Sequence, residues 1–253
     1  MRMGVMRVVS ASHYFHRIER DADGAWPVSL PSLDAATQAV TRERYRRIDR
    51  FVQLALLGAG TCVRDQMVRP DCGLYLASGI GPIGSNVQVQ DAIQIDRKAP
   101  MPFSFVNTLG SSAAYHVAKD LGLAGEAVLV ARAGGSFSAA LRCAMTDIAE
   151  GVVTQVLIGA VEECILPADR QRALLRQGPE IAVAEGSHWV LLERGDAEGA
   201  AVPASALADA TFDGYEARDA AELVSYVLAR PFARFEIAPS RASRVEGWSL
   251  VGR

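Results

Sequence analysis

The stretch that most constrains the fold of this chain runs from Gly125 to Glu163. It opens with an apolar run, Ala127 to Ala131, which is typical of a strand buried on both faces. Gly134, Gly135 and Ser136 follow. Two glycines permit a tight turn there, and the serine hydroxyl can accept a hydrogen bond from the first free amides of a helix. We therefore predict a strand, a tight turn and the start of a helix.

The helix predicted after this turn has one apolar face. Its large apolar side chains recur with a period of 3.6 residues at Phe137, Leu141, Met145 and Ile148. Gly151 ends the helix, and a second buried strand begins at Val156 and ends in Glu162 and Glu163. Strands joined by a helix in this way are parallel with a right-handed crossover, which indicates an α/β fold.

The turn before this helix is also a candidate catalytic site. Many enzymes hold a nucleophile at a sharp strand-to-helix turn, because the helix amides face the developing oxyanion. The turn contains no cysteine, and its Gly-Gly-Ser-Phe-Ser sequence lacks the last glycine of a G-x-S-x-G elbow. A purely structural turn is the favoured interpretation. The alternative is that Ser136 is the nucleophile of a hydrolase or acyltransferase.

The central stretch resembles the active-site segment of the β-ketoacyl synthases of the thiolase superfamily. In that family a strand is followed by T-A-C-x-S-G, a helix, a glycine and a strand that ends in A-G-G-A-E. This chain has Arg132 to Phe137 at the first motif and Gly159 to Glu163 at the second. Gly134 falls on the position of the nucleophilic cysteine, and a glycine has no side chain that can attack a thioester. The resemblance therefore implies a relative that lacks the acyl-enzyme step and has no catalytic residue.

Composition argues against several other classes of protein. The chain has 253 residues, of which 50% are hydrophobic and 22% charged, as in an ordinary globular protein with a sizeable core. Its net charge of -3 gives no basic surface for nucleic acid. No apolar run reaches the roughly 18 to 20 residues of a membrane span, and the N-terminus lacks the pattern of a signal peptide. We therefore expect a cytoplasmic protein.

Histidine and cysteine spacing gives no support for a metal site. His13 and His16 lie three positions apart in a stretch predicted to be an irregular loop after a first strand, Val5 to Ser10. Nothing nearby completes a set of metal ligands. The four cysteines have no C-x-x-C spacing and are typical of small core residues. We expect neither a metal nor a cofactor.

A glycine-rich segment, Ser78 to Gly84, follows the second predicted strand. Gly79, Gly81 and Gly84 match the G-x-G-x-x-G spacing of a dinucleotide-binding loop. Pro82 and the lack of a long apolar-periodic helix after it weaken that hypothesis. The β-ketoacyl synthases carry S-G-I-G-x-x-G here as a backbone turn, and the resemblance favours that interpretation.

An arginine-rich run, Arg42 to Arg50, lies within a region, Asp34 to Val68, whose pattern predicts two helices. Five arginines in such a run are typical of a solvated helix face. If the protein meets an acidic carrier, the run becomes a candidate binding patch.

A further helix is predicted from Asn107 to Leu121, just before the central stretch. In the synthases the corresponding helix, which ends in G-L-x-G, lies at the dimer interface and borders the acyl pocket. Here the same ending is Gly122 to Gly125. Helical spacing places Leu109, Ser112 and His116 on one face. The resemblance implies pocket or interface roles for these three residues and for Phe137. For His116 a catalytic base and a packed side chain both remain open.

The resemblance covers about Met3 to Gly195 and ends in Glu185 to Glu193, a predicted strand similar to E-G-A-G-x-L-V-L-E. We therefore divide the chain into a β-ketoacyl synthase N-terminal-like domain, residues 1–195, and a C-terminal appendage packed on it, residues 196–253. Patterns in the appendage predict a helix and two strands at Glu216 to Ala229, Phe232 to Ile237 and Val245 to Leu250. The expected fold is α/β: one thiolase-like half with a mostly parallel five-stranded sheet and helices on both faces, plus a short α+β appendage.

The second half of a full synthase supplies two histidines and a lysine, and we find no counterpart in this sequence. The chain is most similar to chain length factors of type II polyketide synthases, in the compact form that accompanies aryl-polyene-type systems. The resemblance implies a non-catalytic subunit that forms a heterodimer with a full-length β-ketoacyl synthase, meets acyl carrier protein through that complex, and shapes its acyl pocket. A homodimer and a stand-alone acyl-binding module remain alternatives.

Overall fold

A computed structural model describes residues 5–132, 135–179, 181–195, 200–203, 207, 209–212, 215–230, 235–239 and 248–252. The strands in these residues are β1 Met6–Arg17, β2 Gly73–Ser78, β3 Ala127–Ala131, β4 Gln155–Glu162, β5 Ala184–Arg194, β6 Ala200–Pro203, β7 Phe235–Pro239 and β8 Trp248–Gly252. The helices are α1 Asp34–Gln38, α2 Arg50–Val63, α3 Ile83–Gln94, α4 Pro102–Val106, α5 Ser111–Leu121, α6 Ser136–Glu150, α7 Ala168–Leu175 and α8 Arg218–Leu228.

The described strands form one eight-stranded sheet in the order β3-β2-β4-β5-β1-β7-β8-β6. β3 and β4 each pair in parallel with β2, and β5 runs antiparallel to both β4 and β1. Four of the first five strands in this order therefore point the same way, which confirms the expected mostly parallel five-stranded sheet. The last three strands are antiparallel and continue the same sheet, because β7 pairs with β1.

Helices cover both faces of the five-stranded part, as predicted. α2 and α5 pack on one face over a core that includes Leu74, Leu157 and Trp189. α6 and α8 pack on the other face over a second core that includes Leu141 and Leu223. The sheet thus lies between two apolar layers, the usual way for a mostly parallel sheet to bury both of its faces.

Trp189 on β5 is the largest fully buried side chain, and two glycines make room for it. A Cβ added at Gly58 of α2 would lie 2.4 Å from Trp189 Cδ1, and a Cβ at Gly159 of β4 would lie 2.1 Å from Trp189 Cδ2. The indole Nε1 donates a hydrogen bond to Ser187 Oγ at 2.8 Å. The close approach of α2 to the sheet therefore depends on the absence of a side chain at Gly58.

The first strand is longer than the sequence predicts. β1 pairs with β5 from Met6 to Arg17, with one irregularity between Val8 and Ser10. His13 and His16 therefore lie on a strand, and their predicted placement in a loop is wrong. Pairing with β5 makes this stretch a strand, whereas its polar sequence taken alone predicts a loop.

β3 is less buried than predicted. Among the described strands it pairs only with β2 and forms the edge of the sheet, and its residues are exposed or half-buried. The apolar run had indicated a strand buried on both faces, and that prediction is wrong. An apolar strand at an open edge is a site of association, because its outer backbone groups have no partner.

Two helices also differ from their predictions. The predicted helix from Asn107 begins only at Ser111, as α5, so Leu109 precedes it, and a separate helix, α4, ends at Val106. The region from Asp34 to Val68 contains α1 and α2, but residues 39–49 between them are irregular. Most of the arginine run therefore lies on an irregular segment rather than on a helix face.

Parts of the appendage pack against the sheet. α8 lies within its predicted range, and its Leu223 and Val224 are fully buried in the core beneath α6. β7 continues the sheet through pairing of Ile237 with Met6. β8 begins at Trp248, whereas the predicted start of that strand, like the predicted start of the preceding one, lies outside the described residues.

Candidate functional site

The turn between β3 and α6 contains Gly134, which the resemblance aligns with the nucleophile of the synthases. Gly134 itself lies outside the described residues. Gly135 has a φ of 65°, a left-handed conformation that favours glycine. α6 begins directly after it at Ser136 and ends before Gly151, as the sequence predicts.

The Ser136 hydroxyl is held by main-chain atoms. Its Oγ accepts a hydrogen bond from the Arg132 amide at 3.1 Å and lies 2.8 Å from the Arg132 carbonyl oxygen and 2.9 Å from that of Ser78. It makes no capping bond with α6, so the predicted N-cap role is wrong. Ser136 is instead the first residue of the helix and braces the turn. All of these partners are backbone groups, and none can act as the base of a serine nucleophile.

Glu162, at the end of β4, fills the glycine turn that follows β2. Its carboxylate accepts hydrogen bonds from Ser78 Oγ at 2.9 Å, from the Ile80 amide at 3.0 Å and from the Gly79 amide. Burial raises the pKa of Glu162 to about 7, although these three donors act in the opposite direction. A dinucleotide loop would offer such amides to a phosphate. Here a buried carboxylate takes them, which argues against the dinucleotide hypothesis.

Glu163 extends this arrangement to the start of α3. Its carboxylate accepts a hydrogen bond from the Gly84 amide, and burial raises its pKa to about 8. Nearby, the carboxylate of Asp49 caps α2 by accepting from the Val52 amide at 2.9 Å, and it accepts from Ser85 Oγ at 2.7 Å. These carboxylates hold the backbone around the site. The sequence places Glu162 and Glu163 at the end of a strand and of the second synthase-like motif, but it does not predict these hydrogen bonds.

Ser112 and His116 lie one turn apart on α5. Ser112 Oγ and His116 Nδ1 are buried atoms without a hydrogen-bond partner among the described residues. The His116 ring packs edge-on against Tyr45 with centroids 5.3 Å apart. Burial lowers the pKa of His116, with Lys119 acting in the same direction and Asp49 opposing it. Unpaired buried polar atoms are uncommon in proteins. This face of α5 therefore lacks hydrogen-bond partners in the described part of the isolated chain.

Leu109 lies beside these two residues, whereas Phe137 does not. The Ser112 amide donates to the Leu109 carbonyl oxygen at 2.9 Å, which holds Leu109 at the start of α5 with its side chain 52% exposed. Phe137 is buried in the core on the opposite face of the sheet. The four predicted pocket or interface residues therefore lie in two places.

A group of exposed apolar side chains surrounds Leu109 in the sequence, and we call it the apolar surface. Each member is at least half exposed: Ile93, Ile95, Met101, Phe103, Phe105, Val106, Leu109 and Tyr115. α4, at its centre, packs on α3 and has no buried residue. No sequence pattern above predicts α4, which begins at Pro102. Exposed apolar groups of this size mark interaction surfaces.

Comparison with known families decides the relationship. The family model described as Beta-ketoacyl synthase, N-terminal domain, matches residues 6–181. The chain belongs to the β-ketoacyl synthase family. No curated protein sequence matches it significantly.

Solved β-ketoacyl synthase structures share its fold. The ishigamide ketosynthase/chain length factor aligns with a TM-score of 0.62 at 18% identity, over 77% of this chain and 63% of that one. The ketosynthase ApeO in complex with its chain length factor ApeC from Xenorhabdus doucetiae gives 0.56 at 14% identity, over 77% and 80%. AntDE:AntF, a type II ketosynthase in complex with its acyl-carrier protein, gives 0.53 at 18%, over 76% and 59%. The chain thus spans about 63% of the ishigamide protein's length and has the thiolase-like ketosynthase fold.

The described residues show neither a metal centre nor a membrane-spanning helix. They contain no group of three or more histidine, cysteine, aspartate or glutamate side chains arranged to hold a metal ion. None of the helices they form is long and apolar enough to cross a membrane.

Proposed function

We propose that this β-ketoacyl synthase-like chain is a non-catalytic subunit that pairs with a full-length β-ketoacyl synthase and limits the length of its acyl product, as a chain length factor does. The observation that carries the proposal is the open edge of β3. An apolar parallel strand with a free edge is completed by a strand from another chain. The apolar surface at Ile93 to Tyr115 precedes this strand in the sequence and supplies the kind of side chains that a stable interface buries.

The chemistry of the turn supports the non-catalytic part. Gly134 offers no nucleophile at the position where the synthases have cysteine. Ser136 hydrogen-bonds only to main-chain atoms among the described residues. Cys143 is exposed, and the other three cysteines are buried. Burial raises the pKa of both Cys62 and Cys72 to about 12, so their thiolates are scarce at neutral pH.

The α5 face supports the pocket-shaping part. In the proposed heterodimer, Leu109, Ser112 and His116 face the acyl tunnel of the partner synthase. Packed protein walls yield little to an added methylene, so the bulk of these side chains sets how far a chain can grow. Leu109 is the clearest candidate because its side chain is already exposed. The biosynthesis served is of the polyketide or fatty-acid type, with aryl polyenes as the favoured product class.

Acyl carrier protein would bind to the complex through the carrier's own acidic surface. Arg44, Arg46 and Arg47 are exposed on the irregular segment before α2, whereas Arg42 and Arg50 make hydrogen bonds within the chain. The Arg47 guanidinium lies 5.4 Å from the ring of Phe103 on α4, so this basic segment adjoins the apolar surface. A carrier docked there would stand beside the proposed interface.

The pairing test is co-expression with the β-ketoacyl synthase encoded nearest to this chain in its native genome. We expect a 1:1 complex by native mass spectrometry. Phe103→Asp and Phe105→Asp, at side chains 57% and 58% exposed, should each weaken the complex at least tenfold. Met67→Asp is the matched control, because Met67 is 88% exposed but lies outside the apolar surface. No complex, or equal weakening by all three variants, contradicts the pairing.

The gating test uses the same complex and measures product length. Leu109→Ala should lengthen the product, and Leu109→Trp and Ser112→Trp should shorten it. If a complex forms and these variants and His116→Ala all leave the product distribution unchanged, the gating role is wrong. Incubation of the purified chain with acyl-carrier thioesters should give no acyl adduct by intact-protein mass spectrometry. An adduct on Ser136 would instead favour the hydrolase or acyltransferase alternative.

A further inference from the structure

A histidine pair joins the appendage to the sheet at a place the proposed function does not use. His13 on β1 and His188 on β5 lie opposite each other in the strand register, and their Nδ1 atoms are 3.0 Å apart. His188 Nε2 lies 3.2 Å from the hydroxyl of Tyr215 in the appendage. His188 and Tyr215 are buried, whereas His13 is exposed at the outer end of the row. A polar row therefore runs from the surface to a tyrosine that the appendage supplies.

The surroundings of this row are built to hold it. Gly186 leaves the necessary space, because a Cβ there would lie 2.4 Å from the Tyr215 hydroxyl and 2.6 Å from His188 Nε2. Phe15 and Phe212 pack against the rings, with Phe212 centred 5.7 Å from His13 and 5.1 Å from Phe15. These aromatic walls shield His188 and the Tyr215 hydroxyl from water and leave these buried groups dependent on each other.

Two of the three members of the row lie outside the residues that the family model matches. His188 and Tyr215 both lie beyond residue 181, where the family match ends. His188 also stands where the synthase motif E-G-A-G-x-L-V-L-E has its second glycine.

Proton positions in the row follow from its geometry. The Tyr215 hydroxyl is a donor at neutral pH, because burial raises its pKa well above the usual value. Its proton goes to His188 Nε2, so His188 carries its own proton on Nδ1 and donates it to Nδ1 of neutral His13. Three groups are thus satisfied by two hydrogen bonds that run in one direction. A proton added to His13 Nδ1 meets the proton of His188 Nδ1, and relief of that conflict reverses the row: His13 Nδ1 donates to His188 Nδ1, and His188 Nε2 donates to the Tyr215 hydroxyl oxygen. The hydroxyl proton of Tyr215 then loses its acceptor in the row.

We propose that His13, His188 and Tyr215 form a proton-sensitive clasp that holds the appendage on the sheet at neutral pH and releases it in mild acid. His13 takes up the first proton at the exposed end. A second proton would place two imidazolium ions side by side in an apolar setting, which the folded row cannot accommodate. Release then exposes the face of the sheet that Tyr215 and the start of α8 cover.

The sign of the pH effect distinguishes the clasp from its neighbours. Burial, with His13 second, lowers the pKa of His188 well below 6.5, so its contribution to stability is lost as the pH falls below the unfolded value of 6.5. The nearby carboxyls of Glu162 and Glu216 have the opposite effect on stability. Burial raises the pKa of each, so each favours folding in acid. Asp209, whose pKa is lowered by hydrogen bonding to Thr211, titrates below 3.8. The remaining groups that act on Tyr215 are Glu185, which is paired with Arg50, and the buried thiol of Cys164.

The test is amide exchange of the full chain at pH 7.5 and 5.5, corrected for the intrinsic pH dependence of exchange. We expect protection in residues 215–228 to fall at least tenfold on acidification, while protection in α2 changes less than twofold. His13→Gln keeps an acceptor for His188 but cannot take up a proton, and it should reduce the acid effect without abolishing it, because burial of His188 remains. Tyr215→Phe should lower protection already at pH 7.5.

His16→Gln is the matched control. His16 lies on the same strand, with Nδ1 3.7 Å from Glu185, outside the row. This variant should respond to acid like the wild type. The clasp is refuted if residues 215–228 and α2 respond equally in the wild type, if His13→Gln keeps the full response, or if His16→Gln abolishes it.

Discussion

Substitution of Gly58 by alanine tests how the helix layer meets the sheet, because two effects of opposite sign compete there. Gly58 lies inside α2, where alanine normally stabilises a helix by about 1 kcal/mol relative to glycine. The added Cβ would, however, lie 2.1 Å from Ser187 Oγ and 2.4 Å from Trp189 Cδ1. Carbon atoms pack at about 3.5 to 4.0 Å, so the helix or the indole must move by more than 1 Å.

We expect the steric clash to outweigh the gain in helix propensity. Overpacking of a dense core costs about 1 to 3 kcal/mol and occasionally more. Displacement of Trp189 also endangers its hydrogen bond to Ser187, which contributes about 1 kcal/mol. After the gain in helix propensity, we expect Gly58→Ala to lower the free energy of unfolding by about 1 to 3 kcal/mol. Urea unfolding followed by circular dichroism measures this difference.

Two further variants make the test specific. Gly60→Ala lies in the same helix, and its Cβ would meet Val40 at 2.9 Å, at the edge of the irregular segment rather than against the sheet. It should destabilise the chain less than Gly58→Ala. Trp189→Phe removes part of the obstructing ring, so the double variant should lose less stability than the sum of the single variants. A Gly58→Ala chain at least as stable as the wild type would refute the reasoning.

Three other predictions follow from buried polar groups. Arg50→Ala should lower the free energy of unfolding by about 3 to 5 kcal/mol in urea titrations, because it leaves the fully buried Glu185 carboxylate without its bidentate partner. Arg7→Ala is the control. It removes an exposed pair with Glu193 and should change the free energy of unfolding by less than about 1 kcal/mol. Tyr75→Phe should cost about 1 to 3 kcal/mol in the same assay, since Asp147 loses a hydroxyl donor at 2.5 Å, and an unchanged midpoint would contradict that bond. Glu163→Gln should remove a loss of stability between pH 5 and 8, because a carboxyl whose pKa is raised to about 8 favours folding below its unfolded value of 4.5 and loses that contribution as the pH rises. Relative to the wild type, this variant should gain at least about 1 kcal/mol between those two pH values, and parallel pH profiles would count against the buried position of the carboxyl.

Local sequence patterns predict most of the fold. α6 was readable because its apolar side chains keep one period from Phe137 to Ile148 and Gly151 ends it. β4 was readable because it is buried on every side. β1 was not readable beyond Ser10, since its polar half becomes a strand only by pairing with β5. Burial of β3 was misjudged for a related reason: an apolar run does not show whether a strand has one neighbour or two.

The site was less predictable than the fold. Ser112 and His116 could be placed on one helix face from spacing alone. No local pattern showed that Glu162 would enter the glycine turn 83 positions earlier in the chain, or that His188 would meet His13. Such contacts depend on strand order, which becomes known only once the sheet is assembled. The resemblance located the turn at Gly134, and geometry then assigned the carboxylates around it.

The position of β1 has a consequence for how the chain assembles. β2 pairs with β3 and β4 at smaller sequence separations than β1 pairs with β5, so β2, β3 and β4 can form a first folding unit. β1 is synthesised before them but has partners only in β5 and β7, where Met6 pairs with Arg194 and Ile237. Closure of such long loops is slow, and an unpaired apolar strand is prone to aggregate while it waits. On the ribosome, β1 emerges long before β5 and β7, so it should be among the last strands of the sheet to dock, and expression of this chain should depend on protection of β1 until those partner strands are complete.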